Sequence, residues 1–159
     1  MKPEKDIKII SNHVPYGHKA AEKRQISSII IHSSYNALDV DTFSVKGVLK
    51  EYENYGVSAH YIIDRQGNIY QLVKDSDIAY HAGRSRLPNG DTNVNASSIG
   101  IELVNTMQCG PNEAQYDSLN GLIDELKSKY KIKYVLGHSD IAPGRKSDPW
   151  MFNWKKVKR

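Results

Sequence analysis

The sequence is poor in cysteine and has no long apolar run. Cys109 is the single cysteine among 159 residues, which excludes an intramolecular disulfide framework. Its neighbours in TMQCGPN include neither histidine nor aspartate, and this favours an idle or buried thiol over a nucleophile. No segment reaches the roughly 18 consecutive apolar residues that a transmembrane helix needs. The sequence therefore predicts no membrane insertion.

The first ten residues, MKPEKDIKII, also lack the features of an export signal. They contain neither a long apolar stretch nor a small-residue cleavage site. Three alternatives for the location fit this observation and stay open. The protein is cytoplasmic, or it is a phage product made in the host and released by other means, or it acts outside the cell or in the wall after loss of a leader.

Neither sign of charge is in large excess. The 22 lysines and arginines against 18 acidic residues give a net charge of +4. Only the tail KKVKR concentrates positive charge, which favours a solvated tail over a nucleic-acid surface, although an anionic cell-wall polymer would feel the same weak attraction. The hydrophobic content of 39% is typical of a globular protein. The length predicts one domain over residues 1–159, and we expect a monomer.

Short apolar runs predict three buried strands. The isoleucine-rich run at 27–32 predicts a strand that ends at His32, and residues 97–104 predict a second strand. Residues 133–138 predict a third, which ends at His138. Because rigid scaffolds place reactive groups at the ends of strands, both histidines are candidates for a functional site.

The remaining patterns predict two helices, a hairpin and a long loop. Apolar residues recur at helical spacing over 42–56 and again over 112–130. Two strand-like runs flank Arg65-Gln66-Gly67-Asn68, which indicates an antiparallel hairpin. Residues 74–97 show no clear period and indicate a surface loop. We therefore expect an α/β fold in which helices flank a central mixed sheet.

The two strand-end histidines together with Asp148 form a candidate zinc site. Two histidine nitrogens and one carboxylate are an accepted catalytic set, which keeps a fourth position for water. Pro149 biases Asp148 towards an extended backbone. Either histidine alone would more often be structural. A purely structural zinc requires a fourth protein ligand, for which His60 and Asp140 are the candidates.

Five segments carry a recognisable pattern: HSSYN after the first strand, VSAHYIIDRQGNIYQLV, YHAGRS, an asparagine followed by SSIGIEL, and GHSDIAPGRKSDP. In order and spacing they resemble the zinc-dependent N-acetylmuramoyl-L-alanine amidases of the type-2 amidase family, which share their fold with phage lysozyme-type amidases and peptidoglycan recognition proteins. The resemblance covers about residues 27–154. It implies that fold and the hydrolysis of the bond between N-acetylmuramic acid and L-alanine.

The resemblance also implies roles for individual residues. By position in the motifs, His32, His138 and Asp148 match the ligands of one zinc ion per chain. Lys146 matches a lysine that helps to stabilise the oxyanion in similar enzymes. Glu102 matches a glutamate that is proposed in similar enzymes to act on the water at the zinc.

Other positions are less specific. Ala59 stands where some phage relatives carry a tyrosine, so the branch that uses glutamate is the closer resemblance. Tyr80 and His81 are expected to line the substrate groove, with packing as an equal alternative for His81. Arg145 is expected to meet a substrate carboxylate through its planar fork, with a salt bridge that holds the loop as an equal alternative.

Two questions about function stay open in the sequence. The substrate is either intact peptidoglycan, as for an endolysin or autolysin, or a soluble anhydromuropeptide in cytoplasmic recycling. The competing class is a non-catalytic peptidoglycan-binding module on the same fold. Such modules lack one or more zinc ligands, so the full set of ligands in this sequence argues for an enzyme.

Overall fold

A six-stranded mixed sheet forms the centre of the fold. The computed structural model describes residues 6–159, so the expectation about an export signal falls partly on five residues outside the described range. The strands are β1 Ile9–Ser11, β2 His18–Lys19, β3 Ser28–Ser34, β4 Tyr61–Ile63, β5 Ile69–Gln71, β6 Ile78–Ala79, β7 Ser98–Val104 and β8 Tyr134–Gly137. The order in the main sheet is β1-β5-β4-β7-β3-β8, and β2 pairs separately with β6.

Within the described residues, four helices and a short 3-10 turn accompany the strands. They are α1 Val45–Tyr55, α2 Val94–Ser97, α3 Glu113–Lys129, α4 His138–Ile141 and the 3-10 turn Trp154–Lys156. The predicted helices α1 and α3 are confirmed. Gly56 ends α1 in the left-handed region, with φ of 66°, where glycine is favoured because it has no Cβ. Within residues 6–159, no helix combines the length and the apolar character needed to cross a membrane.

The pairing of β4 with β5 confirms the predicted hairpin, since these two strands are antiparallel. The other pairs of the main sheet are parallel. An α/β fold with a central mixed sheet is therefore confirmed. The segment predicted as a loop contains only the short elements β6 and α2.

Side-chain alternation divides β3 and β7 between two faces of the sheet. On one face, apolar side chains of both strands pack against apolar side chains of α3. The strands contribute Ile29, Ile31, Ile99, Ile101 and Leu103, and α3 contributes Leu119, Leu122 and Ile123. The other face carries His32 on β3 and Glu102 on β7, because successive side chains of a strand point to opposite faces. In the parallel register, His32 lies opposite Glu102. The fold thus places two polar side chains side by side on the face away from α3.

Two predicted strand ends are wrong. β3 does not end at His32 but continues to Ser34, because its pairing with β7 extends to the Ser34–Val104 pair. β8 ends at Gly137, and His138 is the first residue of α4. The backbone N–H of Ala142 closes this single turn by donating to the carbonyl of His138. Residues 138–141, inside the motif GHSDIAPGRKSDP, are therefore helical.

Gln115 ties the start of α3 to the sheet. Asn112 and Gln115 form a capping box, as their spacing predicts. The Gln115 side chain is fully buried, and its Nε2 donates to the carbonyl of Ile63 at 3.2 Å and to that of Val104 at 2.9 Å. Its Oε1 accepts from Arg65 at 2.9 Å. One side chain therefore satisfies polar groups on two strands and one neighbouring loop.

Replacing Gln115 by leucine is expected to lower the free energy of unfolding by about 2–4 kcal/mol, because buried carbonyls and a guanidinium lose their partner. Urea titration followed by circular dichroism measures this difference. The control is Asp117→Ala on the exposed side of α3, for which a change within about 0.5 kcal/mol is expected. A loss below about 1 kcal/mol for Gln115→Leu would contradict the anchoring role.

Candidate metal and catalytic site

His32, His138 and Asp148 converge on one point near the carboxyl ends of β3 and β8. β3 supplies His32, the start of α4 supplies His138, and the loop after α4 supplies Asp148. All three side chains are buried, and one ligand atom of each lies within 4.8 Å of the others. The two histidine Nδ1 atoms are 3.0 Å apart. Asp148 places Oδ2 at 3.5 Å from Nδ1 of His32 and Oδ1 at 3.3 Å from Nδ1 of His138.

These distances fit a tetrahedral zinc site. With bonds of about 2.0–2.1 Å to nitrogen and oxygen, neighbouring ligand atoms of a tetrahedron lie about 3.3–3.4 Å apart. The two histidine nitrogens are 3.0 Å apart, and each lies at a similar distance, 3.3 or 3.5 Å, from a different oxygen of Asp148. Two lone-pair-bearing nitrogens and a carboxylate at such distances repel one another unless a proton or a cation lies between them. The donor set therefore suits a metal ion.

Glu102 lies next to this cluster, on the neighbouring strand. Its Oε1 is 3.9 Å from Nδ1 of His32. Its Oε2 accepts a hydrogen bond from the Ser34 hydroxyl at 2.7 Å, and the Ser34 Oγ is 2.6 Å from the hydroxyl of Tyr52 on α1. One carboxylate oxygen is thus anchored, and the other faces the cluster.

Ser34 and Tyr52 are site residues that the sequence analysis missed. The helical spacing of α1 predicts only that Tyr52 belongs to its apolar face. The ring of Tyr52 does pack in an apolar cluster, while its hydroxyl reaches the site through Ser34. Ser34 could have been found by extending β3 two residues beyond His32. Side chains two residues apart on a strand lie on the same face, so Ser34 shares the face of His32.

The electrostatics of the site separate neutral from charged groups. Burial lowers the pKa of His32 to about 4, so this imidazole is neutral at pH 7. Burial acts to raise the pKa of Asp148, but the neighbouring rings of His138 and His32 outweigh it and hold that pKa below its usual range. Burial, with the nearby Asp148 carboxylate, raises the pKa of Glu102 to about 8. A neutral imidazole and an ionised carboxylate are the forms that bind zinc.

The raised pKa of Glu102 predicts a pH-dependent stability of the metal-free protein. The folded state holds the Glu102 proton up to about pH 8, and the unfolded chain releases it near the ordinary value of 4.5. This contribution to stability is therefore present below pH 4.5 and is lost as the pH rises to 8, with a slope of about 1.4 kcal/mol per pH unit. Urea titrations of metal-free wild type and Glu102→Gln between pH 5 and 8 measure it. The same pH dependence in both proteins would contradict the raised pKa.

The cluster opens into a cleft of about 550 Å³, which other predicted residues line. Tyr80, His81, Arg145 and Lys146 all contribute to its wall. Lys146 and Tyr80 are exposed there. The Arg145 guanidinium holds the neighbouring loop by donating to the carbonyl of Arg84 at 3.0 Å and to another carbonyl of that loop at 2.7 Å. Main-chain hydrogen bonds thus take the place of the salt bridge considered from the sequence.

Neither candidate for a fourth metal ligand joins the cluster. Nδ1 of His60 accepts from the backbone N–H of Gly100 at 3.1 Å. Asp140 accepts from the backbone N–H of Gly137 at 2.8 Å. Over residues 6–159, the group able to hold a metal ion contains three residues and leaves out both. Cys109 is partly buried.

The sequence signature of the family described as N-acetylmuramoyl-L-alanine amidase matches residues 22–150, which is most of the chain and includes every ligand of the cluster. The chain belongs to this amidase family. The predicted family is thereby confirmed. The amidase also has a curated relative in Haemophilus influenzae, the 1,6-anhydro-N-acetylmuramyl-L-alanine amidase AmpD, with 33% identity over 89% of this chain and 86% of the relative.

Solved structures of similar amidases have the same fold. A crystal structure of a selenomethionine derivative of AmpD matches with a TM-score of 0.80 and 27% identity over 99% of both chains. The Escherichia coli amidase AmiD, in complex with the substrate anhydro-N-acetylmuramic acid-L-Ala-D-γ-Glu-L-Lys, matches with a TM-score of 0.70 and 31% identity. That match covers 87% of this amidase and 59% of AmiD. A peptidoglycan recognition protein from Alvinella pompejana has the same fold, with a TM-score of 0.63 at 14% identity.

Proposed function

We propose that this amidase holds one zinc ion with His32, His138 and Asp148 and hydrolyses the amide bond between N-acetylmuramic acid and the L-alanine of the peptidoglycan stem peptide. The observation that carries the proposal is the convergence of these three buried ligands within 4.8 Å, with the carboxylate of Glu102 beside them. Membership of the amidase family supports this function. A zinc ion, when bound, acts as a Lewis acid towards a carbonyl and lowers the pKa of water towards about 7.

Glu102 carries the proton in this reaction. Its carboxylate removes a proton from the attacking water, whose oxygen adds to the lactyl carbonyl carbon. The same carboxyl then gives the proton to the nitrogen of L-alanine as the carbon–nitrogen bond breaks. The products are a free carboxylate on the muramic acid and a peptide with a free N-terminal amine. The anchoring of Oε2 by Ser34 leaves Oε1 to face the reacting groups.

Lys146 and two further residues of the cleft act on the substrate. The exposed Lys146 ammonium compensates the charge of the oxyanion as the tetrahedral intermediate forms. Tyr80 contacts the substrate at the rim of the cleft. Arg145 binds a substrate carboxylate through Nη1, since its Nε and Nη2 already hold the loop. The ring nitrogens of His81 are both engaged within the chain, which supports packing over substrate binding.

We favour a soluble anhydromuropeptide as the substrate. The relative from Haemophilus influenzae is named for the 1,6-anhydro sugar, and the substrate bound to AmiD carries an anhydro-N-acetylmuramic acid. We further propose that residues 1–159 form a single catalytic domain that acts as a monomer. The non-catalytic alternative is disfavoured because the ligand set is complete, and a structural zinc is disfavoured because the cluster offers three ligands.

The decisive test is mass spectrometry of the products formed from anhydro-N-acetylmuramic acid-L-Ala-D-γ-Glu-L-Lys. The zinc-loaded protein is expected to release free L-Ala-D-γ-Glu-L-Lys and anhydro-N-acetylmuramic acid, with the gain of one water. The His32→Ala protein is the control, and purified sacculi serve as the alternative substrate. Cleavage of a different bond contradicts the proposal. Binding of the muropeptide without cleavage identifies a recognition module.

A further inference from the structure

Residues 81–83, the HAG segment, contact both metal-site histidines from the side away from Asp148. Nδ1 of His81 is 2.9 Å from Nε2 of His32. The carbonyl oxygen of Ala82 is 2.9 Å from Nε2 of His138. Consecutive residues of one loop therefore hold the outward-facing nitrogens of the two histidines.

The direction of each of these hydrogen bonds can be assigned. The Ser98 hydroxyl donates to the carbonyl of Val94 at 2.7 Å, so the contact of Ser98 Oγ with Nε2 of His81 at 3.0 Å has Nε2–H as the donor. A histidine that binds a metal through Nδ1 carries its proton on Nε2, so in the metal-bound site the proton between Nε2 of His32 and Nδ1 of His81 belongs to His32. Nδ1 of His81 is therefore an acceptor, and Nε2–H of His32 donates to it.

The same reasoning applies to the second histidine. The carbonyl oxygen of Ala82 can only accept, so Nε2–H of His138 donates to it. A neutral imidazole that carries its proton on Nε2 has its lone pair on Nδ1. Both Nδ1 atoms, 3.0 Å apart, therefore face Asp148 with lone pairs that a cation can bind.

The HAG segment is itself fixed in place. Oδ1 of Asn95 accepts from the backbone N–H groups of His81 at 3.3 Å and of Ala82 at 2.9 Å. Nη2 of Arg145 donates to the Ala82 carbonyl at 2.7 Å, so this oxygen binds His138 and Arg145 together. The position of the acceptors is thus set by contacts from α2 and from the loop after α4.

Gly100 on β7 makes room for the His81 ring. A Cβ at this position would lie 2.6 Å from Cγ and 2.8 Å from Nδ1 of His81, which is closer than packed atoms approach. Ser98 and Gly100 lie on the same face of β7 as Glu102, because side chains alternate. Two small residues on that face therefore form the seat of His81, and a strand glycine often marks such a close approach.

We propose that the HAG segment positions the metal ligands: His81 and the Ala82 carbonyl fix the orientation and the protonated nitrogen of His32 and His138. His81 is then a positioning residue that acts through His32, and Gly100, Ser98 and Asn95 support the segment. The proposal rests on the zinc site proposed above. Residues that hydrogen-bond to metal ligands without contacting the metal typically contribute about 10–100-fold to metal affinity.

Zinc affinity of the metal-free protein, measured by competition with a chelating indicator, tests the proposal without any substrate. His81→Phe keeps a ring but removes the acceptor, and we expect it to weaken zinc binding about 10–100-fold. His81→Gln offers an amide oxygen to His32 and an amide N–H to Ser98, and it is expected to recover most of that loss. The visible absorption spectrum of the cobalt-substituted protein is expected to change in His81→Phe and not in His81→Gln.

The matched control is His60→Phe. His60 is buried beside His81, with ring centroids 6.0 Å apart, but it contacts no metal ligand in the described chain. Zinc affinity within twofold of wild type in a folded His81→Phe protein would overturn the proposal, as would equal losses in His60→Phe. If His81→Phe does not fold, Ser98→Ala and Gly100→Ala decide, since unchanged zinc affinity in both also overturns it. Absence of zinc binding by the wild type would instead refute the proposed function.

Discussion

Removal of the metal is expected to abolish cleavage of the muropeptide, and one equivalent of zinc per chain is expected to restore it. The site brings two histidine nitrogens to 3.0 Å from each other beside a carboxylate, a donor set that suits a zinc ion. A Lewis acid polarises the amide carbonyl and makes it easier for water to attack. Without the metal ion, the amide stays unactivated, and we expect water to attack it far more slowly. The measurement is kcat/KM after dialysis against a chelator and again after addition of zinc.

Magnesium is the control in this experiment. It prefers oxygen ligands in octahedral geometry, so the same concentration of magnesium is not expected to restore cleavage. Thermal unfolding gives a second readout, since a ligand that binds only the folded state raises the apparent stability, by about 2.7 kcal/mol at a hundredfold excess over Kd. Full activity in protein that contains no detectable zinc would refute the proposed role of the site.

Replacing Glu102 by glutamine is expected to lower kcat about 10²–10⁴-fold, the usual contribution of a positioned general acid or base. Glutamine has the same shape and keeps an oxygen that can accept from Ser34, but it cannot take a proton from water. Zinc affinity is expected to stay close to that of wild type because Glu102 is not among the residues of the metal-ligating group. Steady-state hydrolysis of the muropeptide and the same indicator competition provide the two measurements.

Asp117→Asn is the control for Glu102→Gln. It makes the same chemical change on the exposed surface of α3 and is expected to leave kcat unchanged. A Glu102→Gln protein that keeps more than about a tenth of the wild-type kcat would show that another group carries the proton. A protein that loses both zinc and activity would instead indicate a role for Glu102 in the metal site.

Much of this site could be predicted from its local sequence. The two-residue period of β7 places Ile101 and Leu103 opposite to Glu102, and both lie in the core against α3. The pairing of His32 with Glu102 was beyond a local reading, because the register of parallel strands is set by long crossover connections and by packing. The single turn of α4 was missed because a helix of four residues is too short to show a period of 3.6.

The roles of His81 and Tyr52 illustrate a further limit of local patterns. The sequence places His81 in a turn-rich segment, where substrate binding and packing are equally reasonable. The positions of Ser98 and His32 around the His81 ring decide that Nε2 of His81 donates and that its Nδ1 accepts. Tyr52 fits the apolar face of α1 in the sequence, and the tertiary fold alone brings its hydroxyl to Ser34.

The order in which the proposed metal ligands occur along the chain has a consequence for synthesis. His32 and His138 meet although they are 106 positions apart, and Asp148 joins them from still closer to the C-terminus. Contacts of such long range form only after the intervening strands have docked, and metal binding is then coupled to that final assembly. A chain emerging from the ribosome therefore lacks the complete cluster until residue 148 has been translated, and we expect any fragment that stops before Asp148 to be inert.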